Sequence, residues 1–81
     1  MDFAEAALTV LREEDRPLHW TVIQDRALQR GYLDPFTQSD IRSHLLGALQ
    51  ALAREGRVRK EGRGVYALPE EPETSGVPTD L

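Results

Sequence analysis

Four cations, Arg57, Arg59, Lys60 and Arg63, fall within one seven-residue stretch. Cations packed that closely can neutralise several backbone phosphates of a nucleic acid, or meet an acidic protein surface. The same charges would also protect an exposed edge strand from pairing with another chain, and the sequence leaves both readings standing. A second set, Ser39, Arg42 and Ser43, shares the polar side of a helical pattern. Hydroxyls bond bases or phosphates, and an arginine fork matches a guanine edge. Asp40 stands among them and opposes phosphate, which favours ordinary solvated surface as the reading of this face. Together the two sets are the candidate DNA- or partner-binding residues.

Other chemistry finds no arrangement to support it. His19 beside Trp20 has no second histidine, carboxylate pair or nucleophile at a readable spacing, and reads as a packed, hydrogen-bonded histidine. His44 lacks an i+4 His, Asp or Glu that would complete a metal pair. The chain has no cysteine, which removes disulfides, thiolate metal sites and a cysteine nucleophile. No catalytic residue, metal, cofactor or small-molecule substrate is therefore assigned, and the expectation is a protein that is not an enzyme.

Positioning these residues is the work of a short chain. Its 81 residues suffice for one domain, and 40% hydrophobic with 30% charged residues is the composition of a folding chain. The start lacks the basic and apolar pattern of a signal peptide, and no stretch approaches the roughly 20 apolar residues of a membrane span. The expected location is the cytoplasm, on the nucleoid if the source is bacterial, with no membrane partner. A net charge of −4 argues against bulk electrostatic grip on nucleic acid. That average hides a division. Residues 1–40 hold four cations against eight acids, residues 41–68 six against two, and residues 69–81 none against four. Positive charge is thus confined to one segment.

Asp2 and Glu5 have capping-box spacing, and Phe3, Ala7, Val10 and Leu11 then recur at helical intervals, which predicts a first helix from Phe3 to Glu14. Arg16-Pro17 ends it. Leu18–Trp20 reads as a short extended stretch. Thr21 is the expected N-cap of a second helix of about nine residues, with Ile23, Ala27 and Leu28 inward and Arg30-Gly31 at its end. Tyr32–Phe36 is a connector with apolar anchors, and Thr37 or Ser39 caps a third helix. Ile41, Leu45, Ala48, Leu49 and Leu52 fall on one buried stripe of that helix, and Gly56 stops it. Leu46 lies off the stripe, either packed beneath the first helix or exposed. Gly47 costs helix propensity and hints at a close approach. Residues 57–60 and 65–68 flank Glu61-Gly62-Arg63-Gly64 as a hairpin. Beyond it, residues 69–81 are rich in proline and acids and are expected to form a disordered acidic tail.

Helix, short strand, helix, helix, hairpin is the winged-helix order. The predicted class is α+β, mainly α: a winged helix-turn-helix of three helices, a short strand and a C-terminal β-hairpin wing, over residues 1–68.

Phe3-Ala4-Glu5-Ala6-Ala7, Leu11, Pro17-Leu18-His19, Ile23, Ala27-Leu28, Gly31 and Gly62-Arg63-Gly64-Val65-Tyr66-Ala67-Leu68 resemble the HARE-HTH family over about residues 3–68. Where that family usually has Thr-Pro before the third helix, this chain has Asp34-Pro35-Phe36-Thr37. The family is a winged-helix module of the bacterial RNA polymerase delta subunit, some restriction endonucleases and eukaryotic chromatin regulators. The resemblance therefore implies work in transcription or DNA metabolism. Duplex DNA bound through the third helix and the wing is the first expectation. The alternative is docking onto a protein assembly such as RNA polymerase.

Overall fold

A computed structural model describes residues 1–69. Its elements follow in the order α1 (Phe3–Glu14), β1 (Leu18–His19), α2 (Trp20–Gln29), α3 (Ile41–Arg54), β2 (Arg59–Gly62) and β3 (Val65–Ala67). This is the winged-helix order. The expected tail falls, apart from Pro69, outside the described residues.

The first helix begins as its capping signal requires, with the Asp2 carboxylate accepting from the Glu5 N–H at 2.8 Å. Asp15 ends it in the left-handed conformation, its N–H bonded to Leu11 O at 2.9 Å. Ala6, Ala7, Val10 and Leu11 form a fully buried stripe against the other two helices. Phe3 is half-buried on its flank.

Trp20 opens the second helix, where an extended residue was expected. Its cap is His19, whose Nδ1 accepts from the Thr21 N–H at 3.3 Å, and Thr21 itself lies inside the first turn. Extended backbone at His19 and an imidazole acceptor do what a serine or threonine cap normally does. His19 is accordingly exposed and hydrogen-bonded, not packed in the interior. Both α2 and α3 end in a Schellman motif, with the Tyr32 N–H reaching Ala27 O and the Arg57 N–H reaching Leu52 O, each at 2.9 Å.

The start of the third helix also departs from expectation. Neither Thr37 nor Ser39 caps it. Asp40 does so in the left-handed conformation (φ 53°) without a side-chain bond, while Ser39 O meets His44 Nδ1 at 3.0 Å. Leu45, Leu49 and Leu52 are buried, and Ile41 and Ala48 are half-buried at the edges of the stripe. Leu46 is likewise half-buried. In the connector Leu33 is buried and Tyr32 half-buried, but Phe36, expected as a third anchor, is 93% exposed.

The strands form one antiparallel sheet in the order β1-β3-β2, with Leu18 opposite Tyr66 and Lys60 opposite Tyr66 on the other side. The first wing strand starts two residues later than expected, and its register shifts between Lys60 and Gly62, a bulge at Glu61. Leu18, Val58 and Tyr66 carry the core down to the sheet.

A charged clamp joins α1 to the end of α2. Arg30 bonds Glu13 at 2.7 Å and also Glu14, Arg26 approaches Glu14 at 3.6 Å, and the Tyr32 hydroxyl donates to Glu13. The hydrogen bond from Arg30 holds the Glu14 carboxyl below its usual range, and accepting from Tyr32 makes Glu13 raise the tyrosine's pKa.

Candidate nucleic-acid interface

Arg42 and Ser43 in the first turn of α3 are exposed, as are Gly47, Gln50 and Arg54 further along the same side, while Ser39, also exposed, lies before the Asp40 cap and outside the helix. Helical spacing explains this for the residues within α3: with Leu45, Leu49 and Leu52 inward, their positions project outward. Of the two arginines among them, Arg42 is held in place. The Arg42 guanidinium lies over the Trp20 ring, 5.4 Å from its centroid. A stack of this kind orients an arginine while leaving its donors at the surface.

Trp20 serves the site twice. Its ring holds Arg42, and its backbone N–H donates to Gly64 O at 2.8 Å, which fixes the tip of the wing against the start of α2. His19 packs beside it, ring centroids 5.7 Å apart. Gly64 is required at this contact: a Cβ there would stand 2.8 Å from His19 Nε2, on a backbone with φ +71°. Arg42, Trp20, His19 and the Arg63-Gly64 turn thus form a continuous chain of contacts from the third helix to the wing.

The predicted cations divide. Lys60 and Arg63 are exposed and make no ion pair among the described residues. Arg57 is 3.8 Å from Glu55, and Arg59 is 3.1 Å from Glu61. Arg59 also borders a shallow cavity of about 470 Å³ between the end of α1 and the sheet, with Asp15, Arg16, Pro17 and Leu68. The structure therefore links Arg42 to the wing tip through Trp20 and sets Arg57 and Arg59 beside carboxylates in exposed pairs. Sequence reasoning left Trp20 and His19 out of the site. Trp20, the chain's single tryptophan, lies 22 positions before Arg42, and only the packing of α2 against α3 brings them together.

Among the described residues, no group of three or more His, Cys, Asp or Glu could hold a metal ion, and no helix is long and apolar enough to cross a membrane. His44 instead packs against Phe3, ring centroids 5.1 Å apart.

No curated protein and no solved structure matches the chain. Residues 1–45 match the family model of HARE-HTH, the HTH domain of ASXL and restriction endonuclease proteins. That match takes in α1, β1, α2 and the first turn of α3, more than half of the 81 residues, so the chain is a member of the HARE-HTH family.

Proposed function

We propose that this domain binds duplex DNA as a non-catalytic module of transcription or DNA metabolism, with the N-terminal half of α3 in the major groove and the wing on the backbone. The observation that carries the reading is the Arg42–Trp20–Gly64 unit, in which one residue holds both the helix cation and the wing tip. An arginine ordered before binding loses less side-chain entropy on contact. Arg42 supplies the groove contact, through its fork, and Lys60 and Arg63 supply phosphate contacts. Asp40 confines favourable contact to the residues that follow it. Work in the cytoplasm, on the nucleoid if the source is bacterial, goes with this proposal.

The test is the salt dependence of affinity for a generic duplex. Replacing Lys60 or Arg63 by alanine should shallow the slope of log affinity against log salt by about one unit each, whereas Arg42→Ala, which removes a groove contact, should lower affinity with a smaller change of slope. Arg57→Ala and Arg59→Ala should change it less, since Glu55 and Glu61 stand beside them and offset part of their charge. Wild-type protein with no salt-dependent binding would sink the proposal.

A further inference from the structure

His19 carries a hydrogen-bond donor that the fold does not use. The Thr21 backbone N–H, which can only donate, meets His19 Nδ1 at 3.3 Å, and the Thr21 hydroxyl lies against the same nitrogen at 2.8 Å. Nδ1 is therefore the bare, accepting nitrogen, and the proton of the neutral ring is on Nε2. Capping α2 thus fixes a tautomer as well as a helix end. His19 is exposed, and no group among the described residues accepts from its Nε2–H.

The wing leaves room for an acceptor at that nitrogen. A Cβ on residue 64 would stand 2.8 Å from Nε2, so the missing side chain of Gly64 keeps the space beside the donor open. Both walls of this space are fixed. Gly64 has φ +71° and its carbonyl accepts from the Trp20 N–H at 2.8 Å, while His19 is paired with Val65 across the sheet. The charges joined to the spot are cations: Arg63 adjoins Gly64 in the wing turn, and Arg42 lies over Trp20, whose ring neighbours that of His19. Glu61, the acid of the wing, is engaged with Arg59 at 3.1 Å. A fixed N–H in a positive setting favours an anionic acceptor, and hydrogen bonds to ionised acceptors are about twice as strong as those between neutral groups.

We infer that the His19 Nε2–H donates to a backbone phosphate of bound duplex DNA, in the space left by Gly64, between the wing and the start of α3. The inference rests on the DNA reading and adds to it a contact of a different kind. Lys60 and Arg63 bring charge to phosphate and release counterions. His19 brings a neutral donor of fixed direction, which sets the register of the domain on the backbone and adds affinity without steepening the salt dependence.

The test compares the full wild-type chain with His19→4-thiazolylalanine, which keeps the ring nitrogen at the Nδ1 position and puts sulfur in place of Nε2–H, and with His19→Ser, which keeps a good helix cap and removes the ring. Each is titrated with a generic duplex over a salt series, and urea unfolding checks the fold. The thiazolyl chain should keep the wild-type urea midpoint, bind roughly tenfold more weakly, and show an unchanged slope of log affinity against log salt. His19→Ser should lose affinity to the same degree. In ring-nitrogen NMR spectra of the free wild type the proton should be on Nε2, and its resonance should move downfield on adding duplex but not on adding inorganic phosphate. A proton on Nδ1 in the free protein, an equal response to inorganic phosphate, a slope that falls by a full unit, or variants that bind as tightly as wild type would each overturn the inference. Wild type without salt-dependent binding would sink the DNA reading itself, and this contact with it.

Discussion

Replacing Gly64 by alanine tests the junction between wing and helix layer. The new methyl would lie 2.8 Å from His19 Nε2, 3.1 Å from Trp20 Cδ1 and 3.2 Å from His19 Cδ2. Neither ring withdraws freely: His19 Nδ1 is bonded to Thr21 Oγ1 at 2.8 Å, and Trp20 packs against the core beneath Arg42. Alanine in the left-handed region costs about 1 kcal/mol, and the crowding adds about 1–2 kcal/mol, as overpacking does elsewhere. Loss of unfolded-state freedom returns roughly 0.5 kcal/mol. The net expectation is a destabilisation of about 2 kcal/mol, or roughly 8–16 °C in Tm for a domain of this size. Urea unfolding followed by Trp20 fluorescence reads it at the site of damage, because the chain has one tryptophan. Gly62→Ala is the matched control, since nothing lies within 4 Å of its added carbon, and it should cost under about 0.5 kcal/mol. Equal effects from the two substitutions would refute the close-approach argument.

Gly47 sits in the middle of α3, exposed, with nothing within 4 Å of a Cβ. The close approach its presence suggested is not made within the domain, and Gly47→Ala should stabilise by about 1 kcal/mol in chemical denaturation. Leu45→Ala, at a position with no exposure, should cost about 2–5 kcal/mol, a loss visible as collapse of the urea midpoint. Glu14 has a depressed pKa in the fold, so its contribution is present above the ordinary carboxylate value of 4.5 and is lost as pH falls through the lower folded value. Arg30→Met should flatten that acid limb in a Tm-against-pH series. Tyr32, raised above its ordinary 10.0, stabilises below that value and loses the contribution as pH rises through the folded one, so Tyr32→Phe should flatten the alkaline limb.

The parts of this molecule legible in the sequence are those fixed by local chemistry. Asp2 and Arg16-Pro17 bound α1 at its observed ends, and the glycines after α2 and α3 stop both helices. The errors came where one residue does an unusual local job. Histidine is a rare N-cap, so the start of α2 was assigned to the threonine beside it. A left-handed Asp40 leaves no mark distinguishing it from Ser39 as the helix boundary. Register inside the wing shifted because a bulge adds a residue without a compositional signal. The candidate cations were visible, but their state was not. Pairing of Arg57 with Glu55 and stacking of Arg42 on Trp20 depend on side-chain geometry, the second across helices. Phe36 misled for a related reason: the apolar pattern of the connector contains both a true anchor, Leu33, and an outward residue, and hydrophobicity alone does not separate them.

The pairing of Leu18 with Tyr66 has a kinetic consequence. Each helix and the β2–β3 hairpin can begin from local contacts, but β1 finds its partner only when a loop of 48 residues closes, an entropic cost of about 3 kcal/mol. The hairpin is a poor nucleus, because every residue of β2 is exposed and it has no apolar face to gain from forming early. Sheet closure therefore follows helix docking, and defects at Leu18 or Tyr66 should speed unfolding more than they slow folding. A fragment stopped at residue 45, where the family match ends, would keep Leu18 and lose the strand that covers it. The folding unit runs through the wing, even though the family match ends just inside α3.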